Sequence, residues 1–88
     1  MRRITALYAY EKLIQVYPRD LQGPCLQEVL GELKDKVPNI RLVALKVIRN
    51  IYSGLDDSHK QAAKSSVQTL VNDQDSDVRG LAQGIAAI

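Results

Sequence analysis

Tryptophan and phenylalanine are absent from this 88-residue chain, and cysteine, histidine and methionine occur once each. A single cysteine, Cys25, can form neither an internal disulfide nor a cysteine-based metal cage, and it suits a reducing compartment. It reads as a small apolar helix residue rather than a reactive thiol. The single histidine, His59, leaves no material for a His pair or a His-Cys pair. A Ser-His-Asp set would need remote partners such as Ser66 and Asp73, with no nucleophile motif to support it. His59 is expected in the first turn of a helix, facing solvent. The five glycines are scattered, so no phosphate-cradling loop can be drawn. The chain is therefore expected to carry no catalytic site, no metal and no cofactor.

Long hydrophobic runs are missing too. None approaches the roughly 20 residues that crossing a bilayer needs, so no membrane partner is expected. The start, Arg2 and Arg3 followed by a helix with one polar face, does not read as a signal peptide. The expected location is the cytoplasm, with the nucleus second. Net charge is only +2, with nine Lys/Arg against five Asp/Glu in residues 1–49 and three against five in 50–88. Acids interrupt the basic residues, and Phe and Trp are not there to stack on bases, so nucleic acid is not an expected partner.

What is present is a repeat. Asp35-x-x-x-x-Ile40-Arg41-x-x-Ala44 recurs as Asp73-x-x-x-x-Val78-Arg79-x-x-Ala82, one step of 38 residues downstream. The same step backwards from Arg41 and Ala44 lands on Arg3 and Ala6. Between these marks the apolar residues recur at three- and four-residue steps, the helical period. Ala6, Leu7, Tyr10, Leu13, Ile14 and Tyr17 place a helix over 2–17, ended by Pro18, and Arg19–Gly23 then read as a link. Pro24 reads as the first turn of a second helix on Leu26, Val29, Leu30 and Leu33, fading near Lys36. Gly31 within it suggests a close helix–helix approach.

A third helix, about 39–53, starts on Asn39 as N-cap and is closed by Gly54 as a C′ residue. Its stripe runs Ile40, Val43, Ala44, Val47, Ile48 and Ile51. A second stripe of Leu42, Leu45 and Tyr52 calls for neighbours on more than one side. Asp56, Asp57 or Ser58 caps a fourth helix reaching about Asn72, with Ala63, Val67, Leu70 and Val71 inward. Ser76 or Asp77 caps a fifth helix on Val78, Leu81, Ala82, Ile85 and Ala86.

The expected fold is all-α, with five helices in about two and a half helix pairs. Residues 2–17 would be the second helix of a partial repeat, and 24–54 and 57–88 two full ones. A period near 38 without the aromatic and glycine pattern of tetratricopeptide units points to the HEAT class, an α-α superhelix. Such an array buries its core only between neighbours. The chain is thus expected to belong to a longer array and to self-associate through exposed end repeats.

Asp73-x-Asp75-x-Asp77 opens like a calcium loop, but Val78 stands where glycine is needed and Gly84 where glutamate is needed. Capping of the fifth helix explains these carboxylates better. Tyr8, Tyr10, Tyr17 and Tyr52, at helical spacing, read as packing residues. The recurring pairs Asp35/Arg41 and Asp73/Arg79 suggest a ladder between repeats, with Arg41 reaching Asp73.

Three stretches together resemble the C-terminal end of the scaffolding A subunit of protein phosphatase 2A. They are Arg3-Ile-Thr-Ala-Leu-Tyr8, Pro38-Asn-Ile-Arg-Leu-Val-Ala44 and Asn72-Asp-Gln-Asp-Ser-Asp-Val-Arg-Gly-Leu-Ala-Gln83. Val-Arg-x-x-Ala occurs in many HEAT proteins; the acidic string leading into Val78-Arg79 is more specific. Gly80 and Gly84 depart from the family, where bulkier residues are usual. The resemblance implies a non-catalytic scaffold that holds a phosphatase catalytic subunit through the turns inside each helix pair. Carried over by position, the contacts are Arg2, Arg3, Lys36, Pro38, Asn39, Ile40, Gln74, Asp75, Ser76 and Asp77. The alternative is a HEAT adaptor of another class, such as nuclear transport. It would be favoured by acidic, Asn-lined second helices, where this chain carries Lys46 and Arg49.

Overall fold

Most apolar stripes become the buried side of a helix in the computed structural model, which describes residues 2–88. The exception is the first, where Leu7 and Ile14 are buried but Leu13 and Tyr17 are exposed. The helices are α1 (Arg3–Val16), α2 (Pro18–Glu32), α3 (Pro38–Ile51), α4 (Asp57–Gln68) and α5 (Ser76–Ala86). A short 3₁₀ turn, Tyr52–Gly54, follows α3. No strand occurs among the described residues.

The centre is α3. Its Ile40, Val43, Ala44, Leu45, Val47, Ile48 and Ile51 are all buried, as a helix needs when it packs on several sides. It lies between α1 and α5 and also touches α2, while α2 packs on α4. The helices therefore form two rows, α1–α3–α5 and α2–α4. Leu7, Leu26, Val29, Val67, Val78 and Ile85 complete the interior from the other helices.

Several local readings change. Tyr17 leaves the helical region at φ −125°, as a residue before proline must, yet Pro18 at once begins α2. One residue thus separates the helices, and 19–23 is helix rather than link. Pro24 lies inside α2 instead of in its first turn. It forfeits one backbone bond there, a cost of about 3 kcal/mol. Gln22, Cys25 and Leu26, buried on either side of it, hold the helix together.

Asn39 is not the cap of α3: Val37 takes that place with no side-chain bond, and Pro38 follows at the first position, where its missing N–H costs nothing. The cap of α5 is Asp75, not Ser76 or Asp77, accepting from the Asp77 and Val78 N–H groups. Gly54 ends the 3₁₀ turn without a positive φ, so it is no left-handed C′ residue. Gly31 is exposed with open space where a Cβ would stand, so no close helix approach exists there. Tyr10 and Tyr52 pack on the core as expected, but Tyr8 and Tyr17 are about half exposed.

Cys25 is buried in α2. Desolvation, helped by the Glu28 charge, pushes its thiol pKa up, away from a reactive thiolate.

Candidate functional site

The starts of α1, α3 and α5 lie along one edge, where the turns preceding α3 and α5 are built alike. Asp35 Oδ1 accepts from the Val37 N–H at 2.8 Å, and Asp73 Oδ1 accepts from the Asp75 N–H at 2.9 Å. Both are Asx turns, which is why aspartate opens each. The first-turn arginines then clamp their own turns. Arg41 Nη1 donates to the Asp35 and Lys36 carbonyls at 2.8 and 3.1 Å, and Arg79 Nη1 to the Asp73 carbonyl at 3.0 Å.

Arginine also links one turn to the next. Arg41 Nη2 donates to Asp73 Oδ1 at 3.0 Å, with the two side chains only 14% and 9% exposed. Arg3 pairs with Asp35 in the same relation, but its own side chain is mostly exposed. Burial pushes the Asp73 carboxyl up. The Asp75 N–H, the hydrogen bond and charge of Arg41 and the charge of Arg79 outweigh it, leaving the carboxyl below the usual range.

Of the residues proposed to meet a partner, Pro38, Asn39, Asp75 and Asp77 converge with Val37 and Leu42 on one open depression of about 330 Å³ between the turns. Val37 is 44% exposed. It stands one repeat step before Asp75, so an apolar side chain occupies a position that is a polar cap in the next repeat. That mismatch was the available sequence signal for Val37. Lys36, Gln74 and Ser76 are exposed on the same edge. Ile40 is not available: it is buried and faces the core. Arg2 is exposed at the N-cap of α1 without a side-chain bond, and Arg3 is engaged with Asp35, so neither lines the depression.

At the end of α3 a second polar cluster escaped the sequence reading. Gln22, the buried polar side chain of the core, accepts at Oε1 from the Asp56 N–H at 3.0 Å. Its Nε2 reaches the Gly54 carbonyl at 3.4 Å. His59 Nδ1 lies 2.7 Å from Gln22 Oε1 and 2.9 Å from Asp56 Oδ1. Both neighbours are acceptors, so Nδ1 carries the proton. His59 is thus a half-buried cross-link between α2 and α4, not a free solvent-facing side chain. Asp56 also caps α4, and chiefly the His59 backbone N–H holds its carboxyl below the usual range. Gln22 was hidden because its segment read as a link, where an amide is unremarkable.

Compared with protein-family models, with curated proteins and with solved structures, the chain matches none.

Proposed function

We propose that the chain is a non-catalytic scaffold of the HEAT class, an α-α superhelical array. Its turn edge would bind the catalytic subunit of a Ser/Thr protein phosphatase of the 2A type. The observation that supports this reading best is the pair of equivalent turns, each clamped by its own arginine and joined through Arg41 and Asp73. Turns tied down before binding lose little freedom on contact, which lowers the entropic cost of association. Around them Lys36, Pro38, Asn39, Gln74, Ser76 and Asp77 remain exposed to meet a partner. Val37, Pro38 and Leu42 supply the apolar contact, and the surrounding charges govern encounter rate and selectivity.

The test is a calorimetric titration of the chain with a phosphatase 2A-type catalytic subunit. It is run beside a Lys36→Ala/Asn39→Ala/Asp77→Ala variant whose fold is checked by circular dichroism. The expected result is micromolar or tighter binding, weakened about tenfold or more in the variant. No binding by the folded wild-type chain, or equal binding by the variant, refutes the proposal.

A further inference from the structure

The depression between the two turns has a polarity that selects its occupant. One side is apolar, formed by Val37, Pro38 and Leu42 at the start of α3. The other carries the carboxylates of Asp75 and Asp77 at the start of α5. These acids differ from their neighbour Asp73, whose charge is answered by Arg41. Asp75 spends Oδ1 on two neutral backbone N–H groups, and Asp77 has no side-chain partner among the described residues. Arg41 cannot turn to them, because its guanidinium is divided between Asp73 and the carbonyls of Asp35 and Lys36. The α5 N-terminus offsets part of this negative charge, roughly half an elementary charge against two carboxylates. An exposed apolar patch is left beside two carboxylates that no cationic side chain pairs with among the described residues, although Lys36 stands exposed on the same edge.

We infer that this depression is a docking site for a basic–apolar segment of a partner protein: one large aliphatic or aromatic side chain followed closely by Lys or Arg. The apolar side chain covers Val37 and Leu42, removing them from water. The cation lies against Asp77 and the free oxygen of Asp75, where partial desolvation strengthens the pairing. An acidic–apolar segment would place like charges together and is rejected. The inference rests on reading the turn edge as a partner-binding edge, and it specifies what the partner must present there.

The test uses defined peptides and amide chemical shifts of the isotopically labelled chain. The probes are acetyl-Gly-Leu-Lys-Arg-Gly-amide and the charge-reversed acetyl-Gly-Leu-Glu-Asp-Gly-amide. The basic peptide is expected to give saturable shifts centred on Val37, Asn39, Leu42 and Asp77. The acidic peptide should give none there. Asp77→Asn and, separately, Val37→Ser should each weaken the basic peptide by several-fold while leaving the rest of the spectrum in place. Equal responses to both peptides, shifts centred elsewhere, or no shifts at all overturn the inference. The outcomes separate from those for the phosphatase. If the catalytic subunit binds and the basic peptide does not, the docking chemistry falls and the scaffold stands. If the peptide binds and the catalytic subunit does not, the phosphatase assignment falls and the docking site stands.

Discussion

Replacing Arg41 by Met asks how much of this fold hangs on one rung between the turns. Methionine keeps most of the aliphatic bulk, so the change removes mainly charge and hydrogen bonds. Three donations disappear: to the Asp35 and Lys36 carbonyls and to Asp73 Oδ1. Asp73, only 9% exposed, loses its hydrogen-bonded cation and keeps only the Asp75 N–H and the charge of Arg79 nearby. Removing one partner of a buried pair costs about 3–5 kcal/mol, and the edge position puts this one near 3 kcal/mol. A domain of this size has roughly 4–13 kcal/mol in total, so the loss is a large share. With a urea slope of about 1–3 kcal/mol/M, the midpoint should fall by about 1–3 M. Arg3→Met is the comparison: Asp35 is as buried as Asp73, at 10% exposed, but Arg3 is itself 57% exposed. Arg3 also makes one donation where Arg41 makes three, so this rung should cost less, about 1–2 kcal/mol.

The assay is urea unfolding followed by helical circular dichroism. Arg41→Met/Asp73→Asn should recover part of the loss, because no buried charge is then stranded. Protonation gives a second check. The Asp73 carboxyl is depressed in the folded chain, so its contribution is present above the ordinary carboxyl pKa near 3.9. It is lost as pH falls through the lower folded value. The gap between wild type and Arg41→Met should therefore narrow below about pH 4. Equal midpoint shifts for Arg41→Met and Arg3→Met would refute the reasoning.

Asp75→Ala should cost about 1 kcal/mol through loss of the α5 cap while Ser76→Ala costs almost nothing, and thermal unfolding compares the two. Gly31→Ala and Gly80→Ala should each stabilise by about 0.5–1 kcal/mol, since both lie inside helices with open space at the added Cβ; lower stability would count against that geometry. Gln22→Leu should cost about 1–3 kcal/mol by removing the bonds to Gly54, Asp56 and His59, with urea unfolding as the measure. Tyr8, Leu13, Val16 and Tyr17, all exposed on or just after α1, predict association that grows with concentration. Tyr8→Glu/Val16→Glu should weaken it in sedimentation, and a wild-type chain that stays monomeric throughout would count against it.

The sequence by itself determined that there are five helices and their order, because the apolar period acts within a few residues of the chain. Most caps and the ends of α2 and α4 were not settled that way. It also marked Asp35, Arg41, Asp73 and Arg79 as equivalent, since recurrence at one offset is visible without a fold. Tertiary structure decided everything that depends on which residues come to lie side by side. Pro24 stays inside α2 because burial of its neighbours outweighs a local helix penalty. Of three acids and a serine near α5, Asp75 is the cap, since only its side chain meets the free N–H groups. Ile40 belongs to the core while Val37, three residues earlier, is exposed beside Leu42, Asp75 and Asp77. Gln22 and His59 meet across α2 and α4, although 37 residues separate them. Local free energies can be read along a chain; the partners of a buried amide or an open cleft exist only once separate helices have packed.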